Sequence, residues 1–133
     1  MNNYGLIYII DDDELNNMLN RQFLNFSLPR TTVVSFVDAL DLLKNLVKGR
    51  IEVPDLILLD ISMPELSGWE FLDYCEKYQI KCEKLVLSSS LHFDDIARAN
   101  NYSDVRGYIT KPLSREKIKH YIIDRKETPI ELD

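Results

Sequence analysis

The sequence predicts an α/β protein: a single doubly wound, five-stranded parallel sheet with five helices on both faces. Three observations carry that reading. Five short apolar runs rich in β-branched residues each precede a stretch with helical spacing. The chain has 133 residues, four glycines and five prolines, with neither an internal repeat nor a Gly/Ser-rich linker, which suits one domain. Its hydrophobic fraction of 45% is enough for a core that needs no disulfide or structural metal.

Taken in order, Leu6–Ile10 is the first strand, and its unbroken apolar character suits a strand covered on both faces. Leu15, Met18, Leu19, Phe23 and Phe26 repeat at threes and fours and predict a helix that buries this stripe. Thr32–Phe36 is the second strand. Ala39, Leu42, Leu43, Leu46 and Val47 mark a second helix, with Asp38 placed as its N-cap. Leu56–Leu59 is the third strand, followed by a helix bearing Phe71, Leu72, Cys75 and Tyr78 on one face. Leu85–Leu87 is the fourth strand. The helix after it, Asp94 to Asn100, shows only Ile96 and Ala99 as an inner face. Gly107–Ile109 is the last strand, and Ser114 caps a helix whose core side chains are Ile118, Tyr121 and Ile122.

Composition narrows the function. With 16 basic and 22 acidic residues the net charge is −6, so no nucleic acid and no anionic membrane is expected as a partner. No run reaches the length of a membrane span, and Leu6–Ile10 lacks the basic flank of a secretory signal. Cys75 and Cys82 form no CxxC and have no clustered histidines, so a reduced, cytoplasmic setting is expected. Cys75 reads as a small core hydrophobe and Cys82 as a loop thiol. His92 and His120 read as surface residues, and Trp69 as a packing residue.

In open sheets of this kind ligands sit beyond the carboxyl ends of the strands. The first run ends in Asp11, Asp12, Asp13 and Glu14, the third in Asp60, the fourth in Ser88, Ser89 and Ser90, and the fifth in Thr110, Lys111 and Pro112. Each has an ordinary reading as a helix cap, a polar loop or a solvated lysine. Asp60 fits capping least, because Pro64 lies shortly after it and disfavours helix at Met63. Asp11, Asp12 and Asp60 form a hard oxygen cluster suited to Mg2+. A lysine and a serine hydroxyl can hold phosphoryl oxygens, and a carboxylate can attack phosphorus to form an acyl phosphate.

These segments resemble the receiver domain of two-component response regulators. Ile9-Ile10-Asp11-Asp12 is similar to that family's acidic pair, and Leu58-Leu59-Asp60-Ile61-Ser62-Met63-Pro64 to its phosphoacceptor segment. Gly68 stands at the family's glycine before the third helix. Leu87-Ser88-Ser89 and Tyr108-Ile109-Thr110-Lys111-Pro112 resemble its hydroxyl and lysine-proline segments. The resemblance spans residues 4–125, leaving 126–133 as a short tail. It implies a flavodoxin-like strand order, 2-1-3-4-5. It also implies Asp60 as phosphoacceptor, with Mg2+ held by Asp12 directly, by Asp11 largely through water, by Asp60 and by the Ser62 backbone carbonyl. Ser88 would contact the phosphoryl group, Lys111 would be its charge partner, and Tyr108 would change rotamer on activation. The Lys111–Pro112 peptide is expected to be cis.

Two departures accompany the resemblance. Ser88 and Lys111 are 23 positions apart, one more than the family spacing. Either the 100–105 loop carries an insertion or Ser89 makes the contact; Ser88 is preferred because Asp95, Ile96 and Ala99 then keep register. Ser62 and Ser90 occupy positions that tune dephosphorylation in the family, which leaves phosphoryl lifetime open. The implied function is a stand-alone, non-enzymatic phosphoacceptor. It would be served by a histidine kinase or histidine phosphotransfer protein and would signal by binding an output protein. Alternatives are the receiver part of a longer transcriptional regulator, a degenerate receiver used as a scaffold, and a Mg2+-dependent aspartyl-phosphate phosphatase. The phosphatase class carries a second acid two positions after its nucleophile, where this chain has Ser62.

Overall fold

The computed structural model describes residues 4–89 and 92–126. The elements alternate as β1 (Leu6–Ile10), α1 (Glu14–Ser27), β2 (Thr32–Phe36), α2 (Ala39–Val47), β3 (Leu56–Asp60), α3 (Gly68–Lys77), β4 (Glu83–Ser88), α4 (Phe93–Ala99) and β5 (Val105–Thr110). The last helix, α5, opens as a single turn over Arg115–Lys117 and continues as a π-helical segment over Ile118–Ile123. All strand pairs are parallel and the order is β2-β1-β3-β4-β5. The N-cap expectations hold: Asp38 accepts from the Asp41 amide and Ser114 from the Lys117 amide.

Two apolar layers flank the sheet. Tyr8, Ile10, Ile57, Leu59, Val86 and Tyr108 face α2, α3 and Ala99 of α4. Ile7, Ile9, Leu58, Leu85 and Ile109 face Leu24 and Leu28 at the α1 end and Ile118, Tyr121 and Ile122 of α5. Alternation along each strand divides its side chains between the layers. β3 is buried throughout because it has a strand on each side and a helix layer on each face. By contrast β2 is an edge strand and half exposed, not the fully buried strand its composition suggests.

The expectation for α1 is overturned. Its buried residues are Asn17, Asn20 and Leu24, whereas Leu15, Met18, Leu19, Phe23 and Phe26 are exposed at 37–66%. Helical spacing identifies side chains that share a face, but it does not say which face meets the sheet. The inner face is polar for a local reason: the Asn17 side-chain amide donates to the Asp11 carbonyl at 2.9 Å and the Phe36 carbonyl at 3.1 Å, joining the ends of β1 and β2. In α2 and α3 the stripes do turn inward, apart from Val47 and Tyr78 at their ends.

Lys84 pairs with Val105 and Leu85 with Gly107, so Arg106 is a bulge in β5. From Leu85 onward the two strands stay in step to Ser88 and Thr110.

Candidate functional site

The carboxyl ends of β1 and β3 place Asp11 and Asp60 side by side, because Ile10 pairs with Leu59 in the register between them. Both side chains are buried, whereas Asp12 is exposed. One oxygen from each of Asp11, Asp12 and Asp60 lies within 4.8 Å of the others. Asp60 is the last residue of its strand, with the turn beginning just after it. The turn holds the carboxylate in place: the Ser62 amide donates to Asp60 Oδ1 at 3.0 Å. Asp11 Oδ1 accepts from the Asp13 amide at 2.9 Å in the same manner.

Lys111 arrives from the end of β5 and bridges the pair. Its Nζ lies 2.9 Å from Asp11 Oδ2 and 3.0 Å from Asp60 Oδ2. The Lys111–Pro112 peptide is cis, as expected. The Lys111 amide donates to the Ser88 carbonyl at 2.7 Å, tying the ends of β4 and β5 together. Ser88 is buried and Ser89 exposed, while Ser90 lies outside the described residues. Tyr108 is buried in the α2–α3–α4 layer, on the opposite side of its strand from Ile109.

The electrostatics follow from this crowding. Burial pushes the Asp60 carboxyl above its usual range; the Ser62 amide and Lys111 oppose the effect and Asp11 reinforces it. Burial alone would lower the Lys111 ammonium, but its bonds to Asp11 and Asp60 outweigh that and raise it. Among the described residues Asp11 and Asp60 share the Lys111 ammonium and Asp12 lies beside them, a surplus of negative charge that a divalent cation would relieve. The all-oxygen donor set, with exposed Asp12 open to solvent, fits Mg2+, which keeps several of its waters.

Two supporting residues complete the site. Gly68 opens α3 against the acceptor turn: a Cβ there would lie 2.6 Å from Ile61 Cα and 2.8 Å from the Asp60 carbonyl oxygen. The resemblance singles out this glycine, and the close approach supplies its physical reason. Asn17 is a residue that sequence reasoning missed. Its spacing with Asn20 and Leu24, a polar stripe opposite the apolar one, was the available signal.

The comparisons agree with this geometry. The family model of the response regulator receiver domain matches residues 7–123. The "Probable C4-dicarboxylate response regulator DctR" of Halalkalibacterium halodurans is 29% identical over 85% of this chain and 47% of its own length. The Escherichia coli "Regulator of RpoS" is 33% identical over 70% of this chain and 26% of its own. The chain thus spans about half, or less, of these relatives. A two-component response regulator from Cytophaga hutchinsonii superposes with a TM-score of 0.75 at 27% identity, covering 90% of this chain and 95% of that one.

Proposed function

The chain belongs to the response regulator receiver family, a signalling family whose general function is phosphoryl acceptance, and on that premise we propose that Asp60 is the residue phosphorylated. The observation that carries the reading is the Asp60 carboxylate itself, set at a strand end between the Ser62 amide and the Lys111 ammonium beside two further acids. An oxygen of Asp60 forms the new P–O bond as the P–N bond of a phosphohistidine donor breaks, and the electron pair stays with the imidazole. The donor is a histidine kinase or a histidine phosphotransfer protein. Lys111 meets the negative charge of the transferred group and the Ser88 hydroxyl donates to one of its oxygens. Mg2+, held by Asp12, by Asp11 through water, by Asp60 and by the Ser62 carbonyl, would supply the remaining charge neutralisation.

Output follows from Ser88 and Tyr108. Drawing the Ser88 hydroxyl toward the phosphoryl group shifts the population of Tyr108 rotamers and reshapes the face of α4, β5 and α5. The protein acts as a cytoplasmic phosphoacceptor over residues 4–125, binds an output protein when phosphorylated, and turns over no external substrate. The 126–133 tail lies almost wholly outside the described residues.

Incubation with Mg2+ and acetyl phosphate should add one hydroxylamine-labile phosphoryl group by intact mass. Asp60→Asn should fold and gain none. A variant phosphorylated at the normal rate would refute the assignment.

A further inference from the structure

The position of the Lys111 ammonium depends on how its backbone is held, because a flexible four-carbon stem separates the two. The Lys111 amide donates to the Ser88 carbonyl at 2.7 Å. The remaining ties come from a second lysine, on the first turn of α5. Lys117 Nζ donates to the Thr110 carbonyl at 2.5 Å and to the Pro112 carbonyl at 2.9 Å, with the Thr110 hydroxyl at 3.4 Å. It therefore grips the chain on either side of Lys111.

Lys117 stands where helix physics favours an acid. Ser114 caps α5 and its hydroxyl accepts from the Lys117 amide at 3.2 Å, so Lys117 is the third residue of the helix. The positive end of the helix dipole disfavours an ammonium there, and a capping box would place Glu or Gln at this position. Burial also pulls the Lys117 ammonium below its ordinary value. Among the described residues Lys117 belongs to no ion pair that would offset these penalties. Its charge is met by the oxygens of Thr110 and Pro112 alone. Those oxygens do not require it, because Pro112 is exposed and Thr110 half-buried, where water can bond a carbonyl. What the lysine adds is a fixed distance between the end of β5 and the start of α5.

We infer that Lys117 is a positioning residue for phosphoryl acceptance: by clamping the Thr110 and Pro112 carbonyls it fixes the backbone from which Lys111 reaches Asp11 and Asp60. The inference rests on Asp60 as the acceptor and Lys111 as its charge partner. An ammonium already held 2.9 Å from Asp11 and 3.0 Å from Asp60 needs no reorganisation when the phosphoryl group arrives. With the clamp released, the Lys111 side chain samples rotamers that leave the two carboxylates.

Lys117→Met keeps the aliphatic stem and removes the donors. It should unfold at nearly the wild-type temperature, since water can replace the ammonium at both carbonyls. Labelling by acetyl phosphate with Mg2+, followed by intact mass, should slow about tenfold. Lys117→Arg, whose guanidinium can reach the same carbonyls, should recover most of the rate. In a Lys111→Met background, Lys117→Met should slow labelling no further, because Lys117 acts only through Lys111. The Lys111 Cε resonance, assigned by its loss in Lys111→Met, is read without any phosphoryl group and should move in Lys117→Met toward the shift of exposed lysines. Labelling of Lys117→Met at the wild-type rate would overturn the inference. So would an unmoved Lys111 resonance, or equal slowing by Lys117→Met in both backgrounds. A resonance that moves as expected while Asp60→Asn still takes up the phosphoryl group would uphold the clamp and refute the acceptor assignment instead.

Discussion

At the carboxyl end of the sheet Asp11, Asp12 and Asp60 crowd together, and the Lys111 ammonium bridges Asp11 and Asp60. At the amino end Glu83 is shared by two guanidinium groups, Arg106 and Arg125, and by the Tyr4 hydroxyl. That hydroxyl also accepts from Arg106 at 2.9 Å and from Arg125 at 2.8 Å. The first cluster carries surplus negative charge and holds its acids by backbone amides of two tight turns. The second has cations in excess and joins four segments far apart in the chain: the approach to β1, the start of β4, the bulge of β5 and the stretch just after α5. Neither end is neutral, yet one crowds like charges that an incoming cation can relieve, and the other spends its charges on pairs that fasten the fold. Polar clustering therefore marks a reactive site where like charges are held together, more than where charge is merely in excess.

The largest effect on this contrast should come from Gly68→Ala. The added methyl meets backbone at Ile61 and Asp60, which cannot swing aside as a side-chain tip would. Thermal or denaturant unfolding should show a loss of about 3 kcal/mol. Acetyl phosphate labelling of the folded fraction should also slow, because the acceptor turn is displaced. Labelling at the wild-type rate would mean that Gly68 does not position Asp60.

Next in size is the response to Mg2+. Binding to the folded state alone stabilises by mass action, about 2.7 kcal/mol at a hundredfold excess over Kd. Asp12→Ala should abolish that gain while leaving the metal-free protein no less stable, since one of three crowded acids is removed. An unaltered Mg2+ titration in this variant would place the cation elsewhere.

The smallest effect belongs to the amino-end cluster. Tyr4→Phe should cost about 1–2 kcal/mol and leave the phosphorylation rate unchanged. Burial first, then the bond to Glu83, pushes the Tyr4 phenol up to about 12 from 10.0. A phenol raised in the folded state adds stability that is complete below pH ~10 and is lost as pH climbs toward ~12. Denaturation followed between those values should show this loss in the wild type and not in Tyr4→Phe. An equal loss in both would remove Tyr4 from the account.

Much of the carboxyl end was legible in the sequence. A strand that ends in an acid or a lysine puts that side chain at the sheet edge whatever its neighbours do, so the order of residues alone locates Asp11, Asp60, Ser88 and Lys111. The amino-end cluster was not legible. Tyr4, Glu83, Arg106 and Arg125 are separated by up to 121 positions and share no spacing, and only the parallel order of strands brings them together. Asn17 was hidden for a related reason, since a polar residue in a helix pattern reads as solvent-facing until a strand end is placed beneath it.

The sequence by itself determined the succession of strands and helices, the caps at Asp38 and Ser114, and the identity of the side chains at the strand ends. These depend on local spacing and on the few residues around each turn, and the chain carries both along its length. Only the tertiary structure decided that α1 turns its apolar stripe outward, that Arg106 forms a bulge in β5, and that the Lys111 ammonium bridges Asp11 and Asp60. Periodicity relates a residue to others on its own helix. The direction that face takes depends on what the neighbouring strands and helices present to it, and that is settled only when all of them pack at once.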